Sequence, residues 1–527
     1  MEYAILEASN LRPKPESFNP NYGTAGFRSK AHLLPSTVFR CGILMALRSL
    51  KTNKATGICI TASHNPAPDN GVKLVEPTGE MLLQEYEPLA DRMANAETSE
   101  KLLQIIKQCI ESDQISLEQK NAKVLLAYDT RPSGRSLAED AAAGVKSLGV
   151  TVEMLGVMTT PQLHWAVMRS NQNTDSSENA YYSLFAQAFE NVTNTGQYNR
   201  RLHVDCANGV GALKLAAMSS MLKAIGLDLV LYNIGDGVLN HLCGSDHVQK
   251  DRTLPLKMQD LLMSDSACAI DGDADRLIYF YRKYETGNDV ILLDGDKIAA
   301  LVAGLFKDLV KKLPQDLSCA SIGVVQTAYA NGSSTKYLTD VVNCEVAVTP
   351  TGVKHLHKAA HAFDIGIYFE ANGHGTVLFK RKFIEALESI ENESKAAFEL
   401  LSISRIINEA VGDAISDILL VETALMKRNM SLLEWSSLYQ DLPSLQLKAE
   451  IRDRSVIVTE DAERRVAHPA SLQMSIDKCV SKYTGARSFV RPSGTEDIVR
   501  IYAEAPTVSD AEDLAKSIQK LVLDMLA

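Results

Sequence analysis

Short apolar runs alternate with stretches of helical periodicity along most of the chain. Residues 123–128 (KVLLAY) predict a buried strand, residues near 137–148 a helix, and residues 151–155 another strand. Apolar strands separated by helices are typical of parallel βαβ units that are covered on both faces. The same alternation continues in two later segments, at residues 202–206, 211–225, 227–231, 322–325, 344–348 and 365–369. The pattern therefore predicts three successive α/β segments.

The C-terminal part has a different pattern. Residues 445–458 (LQLKAEIRDRSVIV) alternate between apolar and charged positions, and residues 508–526 predict an amphipathic helix. This combination indicates a smaller, antiparallel α+β domain. A polar stretch at residues 170–178 (SNQNTDSSE) lacks apolar periodicity and predicts a linker.

Length and charge narrow the class of protein. A chain of 527 residues exceeds one hydrophobic core, so about three or four domains are expected. The net charge of -11 argues against nucleic acid or an anionic membrane as the main partner. We find neither a membrane-spanning run nor a secretory signal, which predicts a cytoplasmic protein. The nine scattered cysteines form no CxxC pair, which argues against a zinc ribbon.

Candidate chemistry lies in four polar loops that follow apolar runs. Each loop contains glycine or proline; they are residues 62–66 (ASHNP), 271–276 (DGDADR), 370–375 (EANGHG) and 491–495 (RPSGT). Ligands of open α/β sheets bind beyond the carboxyl ends of the strands, so these loops are the expected site.

The second loop has the residues of a metal site. Asp271, Asp273 and Asp275 alternate, so their carboxylates can converge from one face. Two carboxylates about 4 Å apart repel by about 4 kcal/mol at an effective dielectric near 20, so a buried cluster needs a cation or protons. Oxygen ligands without His or Cys favour Mg²⁺, whereas Arg276 at the sixth position excludes an EF-hand loop. A solvated Asp-Gly turn is the alternative.

The first loop contains a candidate nucleophile. Ser63 precedes His64 and lacks the GxSxG elbow of an α/β-hydrolase. Lys73, ten residues further on, could act as an acid or base if it is desolvated. The alternative is a turn in which Ser63 and Asn65 cap local backbone groups.

The fourth loop has the composition of an anion receptor. Its donors are Arg491, Ser493, the Gly494 N–H and Thr495, followed by Arg500 on the next predicted strand. An arginine side chain can hold a phosphate with two parallel hydrogen bonds. RPSG also occurs at residues 131–134, where we interpret it as a common turn.

The third loop has groups suited to a hydroxyl-bearing ligand. Glu370, Asn372 and His374 alternate with small residues, and a structural role for His374 is an equal alternative.

Six motifs in order resemble the α-D-phosphohexomutase superfamily over essentially the whole chain. They are GTAGFR (23–28), TASHNP with DNGVKL (61–74), DGDADR (271–276), TPTGVKH (349–355), FEANGHG (369–375) and RPSGTED (491–497). The resemblance implies an α/β fold with three mixed-sheet α/β domains and a C-terminal TBP-like α+β domain around a central cleft. We place the domains at residues 1–172, 173–296, 297–441 and 442–527.

The resemblance also implies roles for individual residues. Ser63 would carry a phosphoryl group whose oxygen completes a single Mg²⁺ site with Asp271, Asp273 and Asp275. The residues implied in proton transfer or in contact with the transferred phosphate are Arg28, His64, Lys73 and His374. Those implied in binding the sugar or substrate are Thr351, Gly352, Glu370, Asn372, His374 and Arg276. The non-reacting phosphate would be bound by Arg491, Ser493, Gly494, Thr495 and Arg500.

By this resemblance, Asn372 stands where other branches of the superfamily carry a serine, and the EANGHG form of residues 370–375 points to an N-acetylated sugar. The implied reaction is interconversion of N-acetylglucosamine 6-phosphate and 1-phosphate through a glucosamine-type 1,6-bisphosphate, serving UDP-N-acetylglucosamine synthesis. The expected partner is a small sugar phosphate, with no obligate protein partner. The alternatives are a phosphoglucomutase or phosphomannomutase, a serine phosphatase, and a sugar-phosphate sensor.

Overall fold

The computed structural model describes residues 1–193, 198–493 and 497–526. The chain divides into two compact units. Unit 1 contains Met1–Asp294, Asn372–Thr376 and Phe398–Met426, and unit 2 contains Gly295–Ala371, Val377–Ala397 and Lys427–Ala527. Among the described residues, no helix has the length and apolarity required to cross a membrane.

The first sheet of unit 1 has five strands in the order β1-β3-β2-β4-β5. Its strands are β1 (Phe27–Lys30), β2 (Ala55–Ile60), β3 (Asp69–Val75), β4 (Lys123–Tyr128) and β5 (Thr151–Val157). The helices of this part are α1 (Glu2–Asn10), α2 (Pro35–Thr52), α3 (Glu87–Ala94), α4 (Ser99–Ser112), α5 (Gly134–Ser147) and α6 (Thr160–Asn171). Every residue of α2 from Ser36 to Leu50 is buried, and its apolar side chains form the centre of the core beside β2 and β4.

The second sheet of unit 1 also has five strands, in the order β10-β9-β8-β6-β7. They are β6 (Arg200–Asp205), β7 (Leu227–Tyr232), β8 (Ala267–Ile270), β9 (Leu277–Arg282) and β10 (Val290–Leu293). The helices are α7 (Glu178–Thr193), α8 (Gly211–Ile225) and α9 (Ser245–Asp251). β8 is buried at all four positions, which fixes the start of the loop that follows it.

A third sheet has the order β12-β11-β13-β14. Its strands are β11 (Ile322–Thr327), β12 (Glu345–Thr349), β13 (Ile365–Phe369) and β14 (Gly375–Phe379). The helices of this part of the chain are α10 (Gly295–Val310), α11 (Gly332–Tyr337), α12 (Val353–Ala360), α13 (Arg381–Ile390), α14 (Lys395–Ile406), α15 (Ala414–Arg428) and α16 (Leu432–Ser436).

The C-terminal part of unit 2 is antiparallel. Three strands have the order β15-β19-β18, and β16 and β17 form a separate pair. The elements are β15 (Ser444–Glu450), β16 (Val458–Glu460), β17 (Arg465–His468), α17 (Ala470–Val480), β18 (Arg487–Pro492), β19 (Ile498–Glu504) and α18 (Val508–Leu526). This arrangement confirms the predicted α+β character of the last segment.

The strands and helices named from the hydrophobic pattern are all present, with bounds that differ by a few residues. The expectation of parallel βαβ units is only half correct. β2 pairs parallel with β4, and β6 pairs parallel with β7 and β8. However, β3 runs antiparallel to β2, and β9 runs antiparallel to β8, because each follows a loop too short for a crossover helix. The two sheets of unit 1 are therefore mixed, which confirms the mixed-sheet α/β fold that the resemblance implied.

Candidate active site

Ser63 lies in the loop after β2, three residues beyond its last residue. The side chain is buried, and its backbone has a φ of 53°. This left-handed conformation costs a non-glycine residue about 1–3 kcal/mol and persists only where surrounding contacts hold it. The Ser63 Oγ donates a hydrogen bond of 2.5 Å to Asp271 Oδ2. The structure thus brings the predicted nucleophile to the predicted metal loop.

Asp271, Asp273 and Asp275 form one buried cluster after β8. One carboxylate oxygen of each lies within 4.8 Å of the others. The Oδ1 atom of Asp273 is buried and has no hydrogen-bond partner in the described part of the chain, although a buried carboxylate oxygen needs one. Burial, followed by the charges of Asp275 and Asp273, raises the pKa of Asp271 well above its usual value. A hard cation fits this donor set and would satisfy the orphaned oxygen.

Lys73 lies in the middle of β3 and supplies positive charge to this cluster. Its Nζ donates to Asp273 Oδ2 at 2.7 Å and to Asp275 Oδ2 at 2.6 Å. Burial alone would lower the pKa of Lys73, but the two carboxylates raise it above its usual value. Lys73 is therefore an ammonium ion in this arrangement. Lys73 therefore differs from a free acid–base lysine, because both of its partners are candidate metal ligands.

Thr160 completes the cluster and had no signal in the sequence analysis. It begins α6, where the side chain of Thr159 accepts a hydrogen bond from the Gln162 N–H in a capping box. This start of the helix directs the Thr160 Oγ1 to Asp273 Oδ2 at 2.6 Å. The contact joins residues 113 positions apart, so local sequence patterns could not have revealed it.

Three further predicted residues lie around the aspartates. The Nδ1 of His374 donates to the Asp275 carbonyl oxygen at 2.6 Å, and Arg276 Nε lies 3.9 Å from Asp275 Oδ1. Burial, followed by the charges of Arg276 and Arg28, lowers the pKa of His64 to about 3. His64 is thus a neutral imidazole, with positive side chains nearby.

The predicted anion receptor lies in unit 2. Arg491 is on β18 directly opposite Arg500 on β19, and its Nε donates to the Tyr329 hydroxyl at 3.0 Å. Ser493 is buried, and its N–H donates a hydrogen bond to the Ile498 carbonyl oxygen at 2.9 Å. Gly494 and Thr495 lie outside the described residues. The two arginines therefore form a cross-strand pair on neighbouring strands of this sheet.

Glu463 joins two predicted substrate residues and was not found from the sequence. It follows Asp461 and Ala462 in a turn where all three residues have positive φ. Its Oε2 accepts hydrogen bonds from the Thr351 Oγ1 and N–H at 2.6 and 2.9 Å. Its Oε1 lies 3.5 Å from Arg491 Nη1. The carboxylate thus occupies a position beside Arg491 where an anionic ligand would compete with it.

The remaining predicted sugar-binding residues lie near the ends of strands. Gly352, with a φ of 131°, precedes α12, and Glu370 directly follows β13. Gly295, the first residue of α10, packs against the Glu370 backbone, where a Cβ would lie 1.8 Å from its carbonyl oxygen. Only glycine permits this approach. The Oδ1 of Asn372 accepts from the His374 N–H at 2.9 Å, which orders the third loop.

Protein-family models match four successive parts of the chain. They are Phosphoglucomutase/phosphomannomutase, alpha/beta/alpha domain I (residues 42–99 and 88–175), Phosphoacetylglucosamine mutase AMG1, domain II (172–278), the same family's domain III (294–430), and the Phosphoglucomutase/phosphomannomutase C-terminal domain (455–521). The chain therefore has four domains of the phosphoglucomutase/phosphomannomutase type.

Full-length relatives and solved structures agree with these matches. The phosphoacetylglucosamine mutase of Arabidopsis thaliana is 45% identical over 99% of this chain and 98% of the relative. An N-acetylglucosamine-phosphate mutase of the α-D-phosphohexomutase superfamily, solved in its substrate complex, has a TM-score of 0.93 at 39% identity and 99% coverage of both chains. The Aspergillus fumigatus N-acetylphosphoglucosamine mutase, solved with GlcNAc-6P and magnesium, has a TM-score of 0.92 at 41% identity, covering 100% of this chain and 99% of that one.

Proposed function

The chain belongs to the phosphoacetylglucosamine mutase family of the α-D-phosphohexomutase superfamily, and we propose that it interconverts N-acetylglucosamine 6-phosphate and N-acetylglucosamine 1-phosphate. The observation that carries this proposal is the contact of 2.5 Å between the Ser63 Oγ and Asp271 within a cluster of three buried carboxylates. A serine beside a cation site is the arrangement needed to carry a phosphoryl group.

Ser63 is the proposed phosphoryl carrier. The free hydroxyl of the sugar phosphate attacks the phosphorus on Ser63, so a new O–P bond forms and the Ser63 Oγ–P bond breaks. The product is a glucosamine-type 1,6-bisphosphate, and the hydroxyl proton passes to a base of the site. After the bisphosphate turns around, its other phosphoryl group returns to Ser63 and the second monophosphate leaves. The same bisphosphate would load an unphosphorylated enzyme.

Asp271, Asp273 and Asp275 would hold one Mg²⁺ together with an oxygen of the Ser63 phosphate. The buried Asp273 Oδ1 without a partner supports this assignment. Bound Mg²⁺ would neutralise charge on the phosphoryl oxygens. Thr160 and Lys73 hold the second oxygen of Asp273, so its carboxylate plane is fixed.

The proton-transfer roles are divided between Lys73 and His64 in this proposal. Lys73 is held as an ammonium by two carboxylates and is the candidate general acid. His64 follows the phosphoryl carrier directly and is the candidate acceptor. Arg28, Arg276 and His374 are proposed to contact the transferred phosphate or its surroundings. Each of them interacts with the aspartate loop, through its charge or through a hydrogen bond.

The non-reacting phosphate is assigned to the receptor on β18 and β19. Arg491 and Arg500 supply two adjacent guanidinium groups, and Ser493, Gly494 and Thr495 are expected to add neutral donors. The sugar hydroxyls are assigned to Thr351, Gly352, Glu370 and Asn372. Sugar phosphates carry charge that a bilayer excludes, so a cytosolic location is part of the proposal.

The test compares mutase rates on the 6-phosphates of N-acetylglucosamine, glucose and mannose, with Mg²⁺ and a trace of bisphosphate. We expect the highest kcat/KM for the N-acetylated substrate. A preference for glucose or mannose 6-phosphate would contradict the substrate assignment. Intact-mass measurement of the purified protein adds a second readout, because a mutase retains phosphate on Ser63 whereas a phosphatase releases it to water.

A further inference from the structure

The RPSG turn at residues 131–134, interpreted above as a common turn, lies against the serine loop. The Nη2 of Arg131 donates to the Ser63 carbonyl oxygen at 3.1 Å and to the Asn65 carbonyl oxygen at 2.7 Å. Its Nε donates to the Asp69 carbonyl oxygen at 2.9 Å. One guanidinium therefore holds three carbonyl groups between Ser63 and the first residue of β3.

Asp129 fixes this guanidinium in place. Its Oδ2 accepts from Arg131 Nη1, and its Oδ1 accepts from the Arg131 N–H at 2.9 Å. Both side chains are fully buried, at 0% exposure. Asp129 Oδ2 also accepts from Thr61 Oγ1 at 2.6 Å, and that hydroxyl accepts from the Ser63 N–H at 3.0 Å. The network thus reaches Ser63 through both its N–H and its carbonyl group.

Two contacts from loops that flank the second sheet of unit 1 reinforce the same backbone. The Nδ2 of Asn240 donates to the carbonyl oxygens of Ser63 and Asn65 at 2.9 and 3.0 Å. Gly272, within the aspartate loop, packs against the Ser63 carbonyl oxygen, where a Cβ would lie 2.6 Å away. The carbonyl of Ser63 is therefore enclosed on several sides.

The left-handed backbone of Ser63 explains why such support is needed. Without it, a serine would relax to a more favourable φ, and the Oγ would leave its position beside Asp271. We propose that Arg131, oriented by Asp129, is a positioning residue for phosphoryl transfer, which holds the Ser63 turn so that Oγ faces the three aspartates. This inference rests on the proposed function of Ser63 as phosphoryl carrier.

The test uses Arg131→Lys and Arg131→Met, with Arg40→Met as the matched control. Arg40 is another buried arginine of the same part of unit 1, and its Nη1 donates to the carbonyl oxygens of Met93 and Ala94 at 3.1 and 2.7 Å. Both methionine variants remove a guanidinium that satisfies buried carbonyl groups. We expect both to lower the thermal unfolding midpoint.

Only the Arg131 variants should impair chemistry. Because a misplacement of about 1 Å can reduce a rate about 100-fold, we expect kcat to fall by about that factor, with KM within about twofold of wild type. Lysine keeps the charge beside Asp129 but cannot span the carbonyl groups that the guanidinium holds, so Arg131→Lys should also lose most of kcat. Arg40→Met should keep kcat within about twofold.

A direct readout is the rate at which glucose 1,6-bisphosphate loads phosphate onto Ser63, followed by intact mass. We expect this rate to fall in parallel with kcat in the Arg131 variants only. Wild-type kcat and loading in Arg131→Lys would overturn the proposal, as would equal losses in Arg131→Met and Arg40→Met. A wild-type protein that loads Ser63 but leaves N-acetylglucosamine 6-phosphate unconverted would instead contradict the substrate assignment.

Asn240→Ala provides a second variant should Arg131→Met fail to fold, because Asn240 is only half-buried. We expect a smaller loss of loading rate, about tenfold. Since Asn240 and Arg131 share the same two carbonyl acceptors, the losses in Asn240→Ala and Arg131→Lys should not be additive in the double variant. Unchanged loading in Asn240→Ala together with strict additivity would contradict the shared role.

Discussion

Substitution of Lys73 by methionine tests how the aspartate cluster is neutralised. Methionine keeps the length and apolar stem of lysine but removes the ammonium that bonds to Asp273 and Asp275 at 2.7 and 2.6 Å. The side chains of all three residues are at least nine-tenths buried, so water cannot replace the lost charge. The variant therefore leaves buried carboxylates without their cation.

The expected loss of stability in Lys73→Met follows from the distances of these two contacts. At an effective dielectric near 20, each contact corresponds to an attraction of about 6 kcal/mol, most of which offsets the cost of desolvating the charges. Removing one partner of a buried ion pair costs about 3–5 kcal/mol. Since about 1 kcal/mol shifts the midpoint by about 2–4 °C in folding units of about 150–250 residues, we expect a decrease of roughly 6–20 °C.

The assay is thermal unfolding of the unphosphorylated protein, with and without Mg²⁺. Because Mg²⁺ can take over the neutralisation, it should raise the midpoint more in Lys73→Met than in wild type. Lys30→Met is the matched control, since Lys30 pairs with Asp69 from a side chain that is 57% exposed. Exposed pairs contribute about 0–1 kcal/mol, so this control should unfold close to wild type.

Two results would refute this account of the cluster. The first is a Lys73→Met variant that unfolds at the wild-type temperature without Mg²⁺. The second is an equal Mg²⁺-induced shift in wild type and variant, which would mean that the lysine and the cation do not neutralise the same carboxylates.

Three further predictions concern the receptor and the stability of unit 1. Arg491→Met should raise KM for N-acetylglucosamine 6-phosphate by about 10- to 100-fold in steady-state assays with little change in kcat, because a charged hydrogen bond contributes about 1.5–3 kcal/mol. Glu463→Gln keeps an acceptor for Thr351 but removes the charge beside Arg491, so the same assays should show KM lowered by about two- to fivefold. Asp417 is buried, neither of its carboxyl oxygens has a hydrogen-bond partner among the described residues, and burial raises its pKa well above the usual value. The folded state then keeps a proton that the unfolded state loses above about pH 4, so the free energy of unfolding falls as pH rises toward the raised pKa. Asp417→Asn should reduce this dependence on pH, measured by denaturant unfolding between about pH 4 and 7.

Local patterns predicted most strands and the aspartate cluster, for a physical reason. The strands are continuous apolar runs, and the three aspartates fall within five consecutive positions, so both signals are short in sequence. The antiparallel direction of β3 and β9 could also be predicted from loop length. A loop of six residues, as between Ile270 and Leu277, cannot contain a crossover helix. The hydrophobic pattern alone predicted parallel units, whereas mixed sheets were expected only from the resemblance to the superfamily.

The supporting contacts of the site could not be predicted in the same way. Thr160 meets Asp273 across 113 positions, and Asn240 meets the Ser63 carbonyl across 177. Such pairs depend on how the sheets pack, and a single threonine or asparagine has no local pattern. Arg131 was only partly predictable, since its RPSG motif stands out in the sequence but resembles an ordinary turn.

The most direct test of Ser63 as the phosphoryl carrier of a mutase is ³¹P NMR of N-acetylglucosamine 6-phosphate with the purified protein, Mg²⁺ and a trace of bisphosphate. We expect the 1-phosphate signal to appear with wild type and with Ser136→Ala, an exposed serine control, and Ser63→Ala to produce none above background. Substantial formation of the 1-phosphate by Ser63→Ala would contradict the assignment of Ser63 as the phosphoryl carrier.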